Sequence, residues 1–143
     1  MIEIRDAVQS DYDEIKKNPL HPELLKAWGN IQLQGWCKAL IVDEQLICIG
    51  GIHQYWDGVG EGWLAVHICA SDERYKAASA IKRLIKRGIL ELGLWRLQAT
   101  VKVDYDQPTR KILEQAGFDL EGVMHKYTPD KKDAYLYAYL TGE

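Results

Sequence analysis

The chain has 143 residues, 47% of them hydrophobic and 27% charged, with only 12 Gly and 4 Pro, a make-up that fits one globular domain over residues 1–143 and excludes a disordered tail. A chain of this length buries roughly two-thirds of its unfolded surface, enough for one core and one site. With 18 Lys and Arg against 21 Asp and Glu, the formal charge of -3 has the wrong sign for a general nucleic-acid or anionic-membrane binder, so any anion must be gripped locally.

In chain order, Ile2 to Val8 begins by alternating apolar and polar residues and predicts a strand. Ser10 is a candidate N-cap, with Asp13 three positions on, for a short helix through about Lys17 that Pro19 ends. Pro22 can open a second helix in which Leu24, Leu25, Trp28 and Ile31 share a face until Gly35. Trp36 to Val42 and Leu46 to Gln54 predict a hairpin around Asp43-Glu44-Gln45, and the Gly-rich stretch from Trp56 to Glu61 leads into a third strand, Gly62 to Cys69. From Ala77 the period changes: Ile81, Leu84, Ile85, Ile89 and Leu92 form one stripe and Lys82, Arg83, Lys86, Arg87 and Glu91 the other, a long amphipathic helix stopped by Gly93.

Leu97, Ala99, Val101 and Val103 alternate with polar residues in the next strand. A last helix is capped by Asp104 or Asp106, carries Pro108 in its first turn and ends at Gly117. Two closing strands, Leu120 to Tyr127 and Ala134 to Leu140, flank a turn at Pro129–Asp133. The expected fold is mixed α/β (α+β), in the order β-α-α-β-β-β-α-β-α-β-β. A helix between the fourth and fifth strands makes those two parallel neighbours.

Cys37, Cys48 and Cys69 lie in apolar stretches without CxxC spacing and read as reduced, buried thiols. The N-terminal MIEIRDAVQSDYDE places acids where a signal peptide needs bases, and no apolar run approaches the roughly 18 residues of a spanning helix, so the expectation is cytoplasmic, with no membrane contact. His21, His53, His67 and His125 show no metal-ligand spacing, and the hydrolase-elbow and P-loop motifs are missing. Neither a metal nor a nucleic-acid partner is expected.

The stretch Asp106 to Gly122, DQPTRKILEQAGFDLEG, is similar to the pattern N-x-x-[AS]-x-x-[LF]-[YF]-E-x-x-GF-x-x-EG of the GNAT superfamily of acyl-CoA-dependent N-acyltransferases. The element order resembles that family over essentially the whole chain. The resemblance implies transfer of an acetyl group from acetyl-CoA to an amine of a small molecule or protein, by a monomer or homodimer. It also implies a pyrophosphate turn [QR]-x-x-G-x-[GA] after the fourth strand, matched by Arg74, Lys76, Ala77, Ser79 and Ala80, with Ala77 and Ser79 in place of glycines. By the same resemblance Ile68, Cys69 and Ala70 supply backbone N–H groups to the acyl carbonyl. Asp106 stands where the family has Asn, and Leu113 where it often has a Tyr acid.

Two side chains are candidates for taking the amine's proton. His67, on the fourth strand, has an imidazole suited to it, a hydrogen-bonded structural role being the alternative. Glu61, just ahead of that strand, can act through water, against the alternative of a solvated loop acid. Tyr135, Tyr137 and Tyr139 alternate on one face and read as packing. The competing functional reading is a non-catalytic module, since small GNAT-like proteins of tailed phages serve virion assembly or protein binding.

Overall fold

The structure, a computed structural model, describes residues 1–20, 22, 33, 35–67, 69, 74–103 and 107–141. The elements are β1 (Ile2–Asp6), α1 (Gln9–Lys17), β2 (Trp36–Val42), β3 (Gln45–Trp56), β4 (Val59–Val66), α2 (Arg74–Leu92), β5 (Arg96–Lys102), α3 (Gln107–Gln115), β6 (Asp119–Met124) and β7 (Ala134–Leu140). This is the expected order; the helix expected between Pro22 and Gly35 lies almost wholly outside the described residues, although Gly35 has the left-handed φ of +67° that a stop requires. The strands form one mixed sheet in the order β1-β2-β3-β4-β5-β7-β6. β4 and β5 are parallel, as a connection through α2 demands, and β7 enters between β5 and β6 antiparallel to both.

Several boundaries differ from the sequence expectation. β4 begins at Val59 rather than Gly62, because Val59, Gly60 and Glu61 pair with Arg96, Leu97 and Gln98. The ladder overrides the weak strand preference of the glycines, and the connection shrinks to the turn Asp57-Gly58. Glu61 therefore lies inside the strand, not ahead of it. The same strand stops at Val66, before Cys69, and α2 begins at Arg74, one turn earlier than Ala77. β6 ends at Met124 instead of Tyr127, where Lys126 turns the chain with a φ of +52°.

The first helix is capped differently as well. Its N-cap is Val8, not Ser10, and its third residue is Asp11. The Asp11 carboxylate accepts the Val8 N–H at 2.9 Å and both Arg5 Nη atoms at 2.8 and 2.9 Å. An acid held by a bidentate guanidinium outcompetes a serine hydroxyl for the start of the helix.

The chain divides into two compact units, Met1–His53 with Trp63–Gly88 and Gln54–Gly62 with Ile89–Glu143. In the first, α1 buries Tyr12 and Ile15 against Ala39, Ile49 and Ala65, while Gly50, next along β3, lies against Leu84 of α2. Helices thus cover both faces of β3, which is why Leu46 to Ile52 reads as an unbroken apolar run. Cys37 and Cys48 are buried here; burial pushes their thiols up to about 11 and about 12, so both stay protonated and inert at neutral pH. Cys69 departs from the expectation by being only half-buried, and none of the three forms a disulfide.

Asp11 is 7% exposed, and the Arg5 hydrogen bonds hold its carboxyl below the usual carboxylate range. A lowered folded-state value means that the stabilisation is complete above the unfolded value of 3.8 and is lost as pH falls through the lower folded one. Arg5→Met is therefore expected to cost about 1–2 kcal/mol at pH 7, since Arg5 is partly screened by solvent, and the deficit should shrink towards pH 2. Urea denaturation of both proteins across that range checks this; a pH-independent difference would exclude the ion pair as its cause.

In the second unit, β5 sets Leu97, Ala99 and Val101 opposite Tyr139, Tyr137 and Tyr135 of β7. Arg110 of α3 covers this face: its guanidinium lies 4.0 Å from the Tyr135 ring centroid and its Nε–H donates to Tyr137 Oη at 2.8 Å. The tyrosine row is packing, with Tyr137 fully buried and Tyr127 exposed.

The C-terminal ends of α2 and α3 use one device. α3 stops at Gly117, with φ +103°, where the Gly117 N–H donates to Glu114 O and the Phe118 N–H to Leu113 O at 3.1 and 2.9 Å. Phe118 is buried with its ring 5.8 Å from Tyr139. The Gly-Phe pair is thus a left-handed stop followed by an apolar anchor. α2 repeats it with Gly93 and Leu94, which donate to Leu90 and Ile89. A Cβ at Gly117 would also stand 2.8 Å from Tyr139 Cε2, so Gly117→Ala should lower stability by about 2 kcal/mol, seen as a fall of several degrees in Tm. No helix among the described residues is long and apolar enough to cross a membrane.

Candidate functional site

In the first unit, the residues expected to hold an anion fall at the start of α2, a helix of 19 residues. Its first described turn is Arg74 to Ala77, and a helix N-terminus offers an anion backbone N–H groups and the positive end of a dipole. Ala77, Ala78, Ser79 and Ala80 follow as a run without bulk, Ser79 exposed and Ala80 buried. Ala77 and Ser79 lie in helical backbone, where glycine's freedom is not needed, so their departure from the family glycines removes no N–H. This fits a pyrophosphate.

Upstream of that helix, the Cys69 N–H donates to His67 Nδ1 at 3.1 Å, and the Cys69 thiol to Leu46 O at 3.5 Å. His67 is anchored by its own N–H to Ile47 O at 2.8 Å, and its Nε2 is 4.0 Å from Glu14. An imidazole that accepts at Nδ1 carries its proton, when neutral, on Nε2. An open cavity of about 240 Å³ is lined by Glu14, Gln45, Leu46, His67 and Cys69. Of the remaining expected cofactor contacts, Ile68, Ala70 and Asp106 lie outside the described residues.

The second unit holds Glu61, at the last pair of the parallel ladder, Glu61↔Gln98. Its Oε1 accepts from Gln98 Nε2 at 3.1 Å and from Tyr55 Oη at 3.2 Å. Burial and the Glu61 charge raise the Tyr55 phenol, which therefore remains a donor. Gln98 is in turn held by Arg96, whose Nε–H reaches Gln98 Oε1 at 3.2 Å. Two Arg96 Nη atoms meet Glu121 at 2.9 and 2.7 Å, and this pairing keeps Glu121 below the usual carboxylate range.

Among the predicted residues the structure joins His67 to Cys69 and sets Arg74 to Ala80 along one helix, while Glu61 belongs to the other unit with partners of its own. Tyr55, Arg96, Gln98 and Glu121 were not legible as site residues. Arg96 and Gln98 are the polar positions of an alternating strand, the pattern of a solvated face. Leu113, in the position of the family's Tyr acid, is buried and offers no proton. Among the described residues no cluster of three or more His, Cys, Asp or Glu is placed to hold a metal.

No protein-family profile and no curated protein sequence matches the chain. Solved structures do. An acetyltransferase of the GNAT family from Bacillus anthracis superposes with a TM-score of 0.77 at 20% identity, covering 97% of this chain and 94% of that one. The ribosomal-protein-S18-alanine N-acetyltransferase from Escherichia coli gives 0.71 at 15% identity, over 100% and 96%. A spermidine N-acetyltransferase SpeG chimera from Vibrio cholerae and hSSAT gives 0.72 at 14%, over 97% and 95%. The fold is that of the GNAT acetyltransferases.

Proposed function

We propose that the protein is an acetyl-CoA-dependent N-acetyltransferase that acylates an amine of a small molecule or protein. The observation that carries this reading is a carboxylate, Glu61, held by two neutral donors at the last pair of the parallel ladder in a GNAT fold. Solved enzymes of that fold with spermidine and a ribosomal-protein alanine in their names supply the acceptor class, a primary amine.

Bound acetyl-CoA supplies an acyl group activated as a thioester. The N–H groups at the start of α2 hold its pyrophosphate, with Arg74 and Lys76 adding charge and Ala77, Ser79 and Ala80 admitting it to the backbone. Glu61 takes the proton that the amine sheds, directly or through a water, at Oε2, which accepts no hydrogen bond among the described residues. His67 is less suited to this task, because Nδ1 already accepts from Cys69 and the neutral ring has its proton on Nε2. Its role is to shape the turn after β4. Since the Cys69 N–H is spent on His67, polarising the acyl carbonyl falls to Ile68 or Ala70.

Titration calorimetry with acetyl-CoA tests the reading, with micromolar affinity expected. No heat at millimolar acetyl-CoA would overturn the enzyme and leave the non-catalytic module.

A further inference from the structure

We infer that Gln98 is a positioning residue for Glu61, with its amide locked by Arg96 and Arg96 pinned by Glu121. The inference rests on reading Glu61 as the proton acceptor. It is carried by a continuous chain of hydrogen bonds, Glu121–Arg96–Gln98–Glu61–Tyr55, across four strands of one unit.

A glutamine beside a carboxylate can present either end of its amide, and the two ends have opposite effects. Its oxygen would repel the carboxylate, whereas its NH2 steadies it. Arg96 makes the choice: its Nε–H occupies Gln98 Oε1 at 3.2 Å, so Nε2 is the end left to face Glu61 at 3.1 Å. Arg96 is itself fixed by a two-pronged pair with Glu121, an arrangement a lysine would not reproduce. Gln98 and Tyr55 both reach Oε1 of Glu61, which fixes the plane of the carboxyl group and directs Oε2 away from its supports.

The Glu-Gly pair near the end of the family pattern thereby acquires a physical role in this chain. Glu121 sits at an irregularity in the β6 register, between Leu120 and Gly122, where the strand departs from regular pairing with β7. Its side chain crosses to Arg96, 25 residues earlier.

Carbon-13 NMR of protein labelled at the glutamate carboxyl tests this without any acceptor, because Glu61 can be assigned by its loss in Glu61→Gln. Gln98→Met, which keeps the bulk and removes the donor, should displace the Glu61 carboxyl resonance at neutral pH, as expected for loss of a hydrogen bond to a charged group. Arg96→Met, which leaves Gln98 in place but frees its amide, should displace it by less. Tyr55→Phe, an exposed change that spares the fold, should displace it too and serves as the positive control. A resonance unmoved in Gln98→Met, while Tyr55→Phe moves it, would overturn the relay. Acetyl-CoA binding is measured on the same samples: wild-type protein that binds none yet shows the shifts would sink the acyltransferase reading and leave the relay standing.

Discussion

Ala77→Glu is expected to weaken acetyl-CoA binding at least about 100-fold by titration calorimetry, with the fold intact by circular dichroism. Residue 77 is in the first turn of α2, and the N–H groups and dipole of a helix start favour an anion. A glutamate there sets a like charge against the pyrophosphate and fills the space its oxygens need. A loss of this size corresponds to about 2.7 kcal/mol, within reach of charge repulsion between partly desolvated groups. Lys82→Glu, farther along the same helix, is the matching control and should lower affinity only a few-fold. Ala77→Gly should change it little, because a helical position does not call on glycine's conformational freedom. Wild-type affinity in Ala77→Glu would move the phosphate site away from α2.

The second large effect is on turnover. Glu61→Gln keeps the shape of the side chain and its position at the end of the ladder but removes the charge that accepts the amine's proton. General-base catalysis contributes roughly 10²–10⁴-fold, so kcat/KM should fall at least about 100-fold with the affinity for acetyl-CoA unchanged. Spermidine and a peptide with an N-terminal alanine are the acceptors to try first. His67→Ala should cost less than about tenfold, through loosening of the turn that its Nδ1 holds at Cys69. A larger loss in His67→Ala than in Glu61→Gln would reverse the assignment of the base.

Much of the fold was legible because its signals are local. The apolar stripe Ile81, Leu84, Ile85, Ile89 and Leu92 needs only the helical period to be recognised, and α2 runs over it to a stop at Gly93 as expected. Trp36–Val42 and Ala134–Leu140 have the bounds that their composition and flanking turns predict. The parallel pairing of β4 with β5 follows from the helix between them. Misplaced boundaries occur where a distant partner outweighs local preference. Val59 and Gly60 read as loop until Arg96 and Leu97 are set beside them, and Ser10 reads as a cap until Arg5 holds Asp11.

The site divides along the same line. The acidic composition required any anion to be held locally, and the resemblance to the GNAT pattern implied Arg74 to Ala80 as the place for it, a stretch that lies at the start of α2. The proposed proton acceptor was different. Glu61 and His67 were both candidates as residue types, and what separates them is their hydrogen-bond partners. His67 finds Cys69 two residues away, whereas Glu61 finds Gln98 across 37 residues and owes the orientation of that amide to Arg96 and Glu121. Composition and periodicity determined an acidic α/β chain and the order of its elements. Only the tertiary structure decided which partners hold Glu61 and which hold His67, because the order in which strands pair sets the partners of a side chain and that order is not a local property of the sequence.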